Sequence, residues 1–227
     1  MGREDFLTKF VGSQSFARVL RTFVLNPEET FLLGTIAERS GIRERIARRE
    51  LSELERAGLL RRGRKRVAFP AKRRANKNKK SAKLKIKWES AWSWNKEHSH
   101  QRAVSLFVRD VSPAEYENIS KALKKAGRIS TVILSGVFMN DASRPADLLI
   151  AGESLDSRRV ERAVRALEPM IGREIRYAAF STAELHYRFS IQDRLVRDTV
   201  DYPHLILLDK AKIFLEHIAP QSVKSPV

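Results

Sequence analysis

Apolar positions recur along this chain with two different periods, and the change from one to the other marks its elements. Phe16, Val19, Leu20 and Phe23 stand at i, i+3, i+4 and i+7, which predicts an amphipathic helix over 13–25, ended by Asn26-Pro27. Residues 31–60 follow. Ile36 and Ala37 lie in a short helix closing at Gly41, and a second helix runs from Arg43 to Ala57, capped by Gly58. Its inward stripe is Ile46, Leu51 and Leu54, while Arg45, Arg48, Arg49 and Ser52 repeat the i, i+3, i+4, i+7 spacing on another face. The period then drops to two. Val67 and Phe69 alternate with Arg66 and Ala68. Leu84, Ile86, Trp88, Trp92 and Trp94 take even positions, and Lys83, Lys85 and Lys87 odd ones. The second alternation predicts a strand with one buried and one basic face, bending near Ser90. The spacing of its three tryptophans favours packing over base stacking.

Two short helices joined through a glycine, the second with an arginine-rich outer face, describe a helix-turn-helix. The stretch resembles the winged helix-turn-helix of bacterial and archaeal transcription regulators. The resemblance rests on Ile36-Ala37, Gly41, Ile46, Leu51, Leu54 and the ending Glu55-Arg56-Ala57-Gly58-Leu59-Leu60. It implies that 43–57 is the recognition helix and that the strands after it form the wing. The segment between them, PAKRRANKNKKSA (70–82), is small, polar and cationic, and has nothing with which to build a core.

Charge sharpens this reading. The formal net charge is +17, from 44 basic and 27 acidic residues. Between Arg61 and Lys87 stand fourteen Lys or Arg and no Asp or Glu, which leaves about +3 on the rest of the chain. So concentrated a segment attracts a polyanion, and nucleic acid gains affinity from it by counterion release. An anionic membrane surface is the competing partner. The absence of cysteine excludes disulfides, thiolate metal sites and a thiol nucleophile. No apolar run reaches about 18 residues, and MGREDFLTKF lacks an apolar signal core, so a cytoplasmic protein with no membrane partner is expected.

From Gln101 onward helices and strands alternate. Ser112-Pro113-Ala114-Glu115 reads as a capping box, Tyr116, Ile119 and Leu123 as the stripe of the helix it opens, and Gly127 as its stop. Strands are expected over 129–136, 146–152, 174–180 and 205–208, and helices over 158–167, much of 182–200, and 209–217. The fold class is therefore α+β. Ser135-Gly136, the loop holding Asn140, Asp141, Ser143 and Arg144, and the Asp147-Leu148-Leu149-Ile150 strand resemble a minimal nucleotidyltransferase fold. The whole chain resembles prokaryotic proteins that fuse a winged helix to such a domain.

In active members of that fold, Gly-Ser holds phosphates and two aspartates one residue apart bind magnesium. This chain has Val137 at the serine position, Pro145 at the first aspartate and Asp147 at the second. Proline offers a metal no side-chain oxygen. Glu174 stands where a third carboxylate would lie but does not restore the pair, and Asp147 is better read as capping or bridging the strand end. His98 and His100 sit close together on a strand-like stretch without completing a metal site, and His186, His204 and His217 lie among apolar residues.

The resulting expectation has three parts: a winged helix-turn-helix with an extended basic wing (1–97, the wing being 61–97), a connecting helix (98–111) and a nucleotidyltransferase-like α/β domain (112–227). The chain is read as a transcription regulator that binds double-stranded DNA, its second domain sensing a ligand or mediating assembly without catalysis. DNA contacts are assigned to Arg43, Arg45, Arg48, Arg49 and Ser52 on the helix, to Arg62, Arg64, Lys65 and Arg66 on the wing, and at its tip to Lys72, Arg73, Arg74, Lys77, Lys79 and Lys80. Ser135, Gly136, Val137, Pro145 and Asp147 form a degenerate nucleotide pocket. No catalytic residue, metal or cofactor is expected, and a homodimer and a nucleotide ligand are left open. The alternatives are a nucleotidyltransferase with degenerate motifs acting on protein or RNA, and an RNA-binding or antitoxin-like module.

Overall fold

The structure, a computed structural model, describes residues 5–70, 84–111, 116–139 and 141–214. The chain is α+β, with two separate sheets, and divides into two compact units: Met1–Pro113 with Pro169–Arg173, and Ala114–Glu168 with Glu174–Val227.

In the first unit, two short helices lead into the core. The Asp5 carboxylate accepts from the Thr8 amide at 2.8 Å and starts α1 (Phe6–Val11); the Ser13 hydroxyl accepts from the Phe16 amide at 3.2 Å and starts α2 (Gln14–Leu25). Val19, Leu20 and Phe23 of α2 are buried, as their spacing predicts, and Phe23 meets Phe31 edge-on at 5.4 Å. Phe31 belongs to β1 (Thr30–Leu32), a strand of three residues, too short for its alternation to show in the sequence. Next come α3 (Leu33–Ser40) and α4 (Glu44–Arg56). Gly41 between them has φ +61°, and the Ile42 amide returns to the Ala37 carbonyl at 2.9 Å, closing α3 sharply.

Leu51 and Leu54 of α4 are fully buried, but the third inward position is Ala47, not Ile46. Ile46 is half-buried and, with Ile42 and Arg43, lines an open cavity of about 530 Å³ beside the turn. Two long strands complete the sheet, β2 (Leu60–Pro70) and β3 (Leu84–Trp94), in the order β1-β3-β2. They pair antiparallel from Leu60↔Trp94 to Pro70↔Leu84 without a register shift, so no break in the ladder occurs near Ser90. Helix α5 (Gln101–Asp110) forms within the span expected for a connecting helix, and its Val108, Val104 and Phe107 pack on this unit's core. His98 and His100 lie in the turn before α5 rather than on a strand.

The second unit is a four-stranded sheet in the order β6-β5-β4-β7. After α6 (Tyr116–Leu123), β4 (Arg128–Leu134) pairs antiparallel with both β5 (Leu148–Glu153) and β7 (Leu205–Asp209). Helix α7 (Ser157–Ile171) carries the chain from β5 to its parallel neighbour β6 (Tyr177–Ser181), the crossover that a parallel pair requires. Leu149 and Ala151 share a cluster with Leu185, Val196 and Phe214, while the alternate residues Leu148 and Ile150, equally buried, face the other way.

Several boundaries differ from the sequence reading. Strand β4 ends at Leu134, and residues 136–139 form a 3-10 turn. Residues 182–200 split into α8 (Thr182–Ser190) and α9 (Arg194–Val200), separated by Gln192 at φ +53°. The last expected helix does not form over 209–214: Asp209 ends β7, and its carboxylate accepts from the amides of Ile213 and Phe214. The capping box at 112–115 and His217 lie outside the described residues.

Phe23→Ala is expected to lower the unfolding free energy of the first unit by about 3–5 kcal/mol, because Phe23 is wholly enclosed. Trp94→Phe should cost less, since among the described residues the buried indole N–H of Trp94 has no hydrogen-bond partner to lose. Denaturant titration followed by tryptophan emission measures both.

Candidate nucleic-acid interface

The arginine stripe of α4 is on the surface as its spacing requires: Arg43 at the N-cap, then Arg45, Arg48, Arg49 and Ser52, are all exposed. They are not equivalent. Arg49 reaches Glu50 at 2.6 Å, covering a carboxylate that is itself buried, so its guanidinium is committed to the fold. That bond and the nearby charge hold Arg49 above its usual pKa. Ser52 donates to the Arg48 carbonyl at 3.0 Å. Among the described residues, Arg43, Arg45 and Arg48 have no ion-pair partner.

One helical turn beyond Ser52, on the same stripe, Glu55 accepts a hydrogen bond from the Trp92 indole at 3.2 Å. This bond joins the arginine side of α4 to one face of the β2–β3 ribbon. Directly paired residues share a face, so Leu60, Arg62, Arg64 and Arg66 of β2 lie beside Trp94, Trp92, Ser90 and Trp88 of β3. Near the core this face is buried through Leu60, Trp92 and Trp94. Farther out the same face is open, with Ile86 51% and Trp88 61% exposed. The expectation of one buried and one basic face is therefore corrected. The ribbon outruns the core, and three arginines of β2 occupy the face that the tryptophans of β3 share.

Arg62 lies over the Trp92 ring, 5.5 Å from its centre, and donates to Ser90 at 3.1 Å. Arg64 and Arg66 are exposed and without an ion-pair partner among the described residues. The opposite face carries Lys65, which donates to the Thr30 carbonyl at 3.1 Å, and a Lys87–Glu89 ion pair. The tip cations Lys72, Arg73, Arg74, Lys77, Lys79 and Lys80 lie outside the described residues.

The second unit gathers its singled-out residues differently. Asp147, just before β5, is wholly buried, and four donors fill its carboxylate. The Val137 amide reaches Oδ1 at 2.9 Å and the Arg176 amide Oδ2 at 2.9 Å; the Arg176 side chain contacts both oxygens, Nε at 3.1 Å and Nη2 at 2.9 Å. The guanidinium is bidentate on the carboxylate, one donor to each oxygen. Gly136 is required by this arrangement, since a Cβ there would stand 2.1 Å from Asp147 Oδ1, and its φ is +52°. The backbone of Ser135-Gly136-Val137 thus wraps an internal carboxylate. The Ser135 hydroxyl is buried without a partner among the described residues. Glu174 precedes β6 rather than opening it, and the side chain that reaches Asp147 from this segment is Arg176.

Of the five residues expected to form a nucleotide pocket, only Pro145 lines the open cleft nearby, a cavity of about 710 Å³. Its arginines are paired: Arg144 with Asp141 at 2.6 Å, Arg188 with Asp193 at 3.1 Å and Arg194 with Asp198 at 3.4 Å. Arg144 also lies 3.6 Å over the Tyr202 ring. His98 and His100, in the first unit, have ring centres 5.7 Å apart, and no group of three His, Asp or Glu able to hold a metal occurs among the described residues. No described helix is long and apolar enough to cross a membrane. No protein-family model, curated protein or solved structure matches this chain.

Asp147→Ala is expected to destabilise the second unit by about 1–3 kcal/mol, because it leaves the Val137 and Arg176 amides without their acceptor, while the partly exposed Arg176 guanidinium can turn to water; thermal unfolding measures it. The Ser143 hydroxyl and amide and the Arg144 guanidinium lower the Asp141 carboxyl to about 2. A depressed carboxyl stabilises the fold above its ordinary value near 3.8 and loses that contribution as pH falls toward 2. An NMR titration of the Asp141 carboxyl carbon should accordingly show a midpoint near 2.

Proposed function

We propose that this protein is a DNA-binding transcription regulator whose first domain is a winged helix-turn-helix. In this reading α3 and α4 are the helix pair, α4 lies in the major groove, and the β2–β3 ribbon is the wing that follows the backbone. The observation that carries the reading is the uncompensated charge on one continuous surface. Arg45 and Arg48 stand exposed on the stripe that ends at Glu55, and the Glu55–Trp92 bond ties that stripe to the face bearing Arg64 and Arg66. A solvated charge run without a role gains nothing from keeping its arginines apart from carboxylates. A groove reader needs free guanidinium groups on a rigid helix.

The second domain is read as nucleotidyltransferase-like in architecture and as a sensor or assembly module in role. What supports this over nucleotidyl transfer is Asp147. Its carboxylate is saturated by Arg176, Val137 and the backbone, so a metal would have to displace a bidentate arginine from a buried site. Phosphoryl-type transfer depends on metal ions to neutralise charge developing on the phosphates.

Duplex affinity should fall by about 10³–10⁵-fold between about 50 and 200 mM salt if six to ten phosphates are contacted, measured by fluorescence anisotropy; a flat response would remove the electrostatic basis. Replacing Arg45 or Arg48 by alanine should weaken a selected site more than random DNA, by about 1–3 kcal/mol for a base-reading side chain. Arg49→Ala should act mainly on stability, by leaving the buried Glu50 carboxylate without its ion-pair partner. Neutralising Lys77, Lys79 and Lys80 should weaken both DNAs alike and lower the salt slope. Fragment selection from random duplex DNA tests the reading most directly, since it requires an enriched motif. Incubation with labelled nucleoside triphosphates, magnesium or manganese, and protein or RNA acceptors should transfer no label above an unfolded control.

A further inference from the structure

Trp88 is the anomaly of the first unit. Its two fellow tryptophans on β3 are buried, yet Trp88, on the same face, is 61% exposed, and Ile86 beside it is 51% exposed. An indole left in water on a long ribbon is an unspent source of binding energy unless something covers it. What surrounds it narrows the occupant. Arg66 is directly opposite, Arg64 is one pair inward, and Arg62 is one pair further, so guanidinium groups repeat about every 7 Å along the strand. The described ribbon residues put no carboxylate on this face, and the one that reaches it from α4, Glu55, meets the inner Trp92 indole; Glu89 is on the other face, where Lys87 and Lys65 flank it. The face therefore offers a line of cations beside a flat aromatic surface, the combination that holds a phosphate backbone while an unstacked base lies on the ring.

We propose that Trp88 is a base-stacking residue, and that the ribbon recognises DNA at a point where a base is unpaired or pushed out of the stack. The Arg62–Trp92 contact, 5.5 Å from guanidinium to ring centre, braces the inner part of the ribbon, so Trp88 projects from a fixed base. Arg64 and Arg66 take the flanking phosphates. An intact duplex presents only phosphates to this face; a bulge or a kinked step adds the exposed plane of a base. Helix α4 has no part in this contact. The inference rests on the reading of the chain as DNA-binding, and it adds a preference for distorted DNA that the arginine helix alone would not supply.

The test uses the full chain with two probes of the same sequence, an intact duplex and one carrying a single-nucleotide bulge. The bulged probe should bind about 5- to 150-fold more tightly, the range given by stacking one base on an aromatic side chain. Trp88→Ala should abolish that gain, lowering affinity for the bulged probe far more than for the intact duplex, and Trp88→Phe should keep most of it. Because Trp92 and Trp94 are buried, bulged DNA should quench mainly Trp88, and the quenching should vanish in Trp88→Ala. Equal affinity of the wild-type chain for both probes overturns the proposal and leaves duplex binding standing. Equal losses on both probes in Trp88→Ala overturn it as well, as does a change in oligomeric state caused by that substitution without DNA, which would make the ribbon a protein interface. If neither probe binds, the DNA-binding reading falls along with it.

Discussion

The continuous register of β2 and β3 constrains everything at the candidate interface. Eleven residue pairs run from Leu60↔Trp94 to Pro70↔Leu84 without a bulge, so whatever faces inward at one end must face the same side at the other. Leu60, Trp92 and Trp94 anchor that side in the core, together with Phe31 and the inward residues of α2 and α4. Beyond the edge of the core, the same alternation places Arg64, Arg66, Ile86 and Trp88 in the open. A one-residue slip would bury arginines and expose Trp92. The burial of the inner tryptophans thus holds the outer arginines in position.

The Glu55–Trp92 bond matters for the same reason. Exposed ion pairs on a surface contribute little, commonly under about 1 kcal/mol, and several here are of that kind. Glu55 is instead half-buried, and it fixes the C-terminal end of α4 against the ribbon through an indole that is itself 5% exposed. Arginines on α4 and on β2 are thus carried by elements that this bond joins. This is the preorganisation that a binding surface needs if ordering it is not to consume its affinity.

Asp147 governs the second unit in a comparable way. Its carboxylate gathers the end of β4, the start of β5 and the segment before β6 onto one buried point through Val137, its own chain and Arg176. The glycine at 136 is accounted for by that internal contact, since a Cβ there would stand 2.1 Å from Asp147 Oδ1. In such a unit, substitution of Asp147 tests stability before it tests chemistry, so loss of any activity in Asp147→Ala would not identify a metal ligand.

Much of the architecture was legible in one dimension because it follows from local rules. The 3.6 period of Val19, Leu20 and Phe23, the glycine stop at Gly41, the arginine stripe of α4 and the alternation of β3 are set by neighbours within a turn or two, and each formed where its pattern lies. The misses share another cause. Ile46 is half-buried and Ala47 is enclosed because of what packs on α4, a matter of partners distant in sequence. The helix expected over 209–217 does not form over its described part, 209–214, where Asp209 captures amides instead. Arg176 carried no signal as the partner of Asp147, twenty-nine residues away, because an ion pair between strand ends follows no period. Trp88 is the clearest case. Its alternation with lysine determined which face it shares with Trp92 and Trp94, but whether that face was inside or outside depended on where the core ends, and only the tertiary structure decided that.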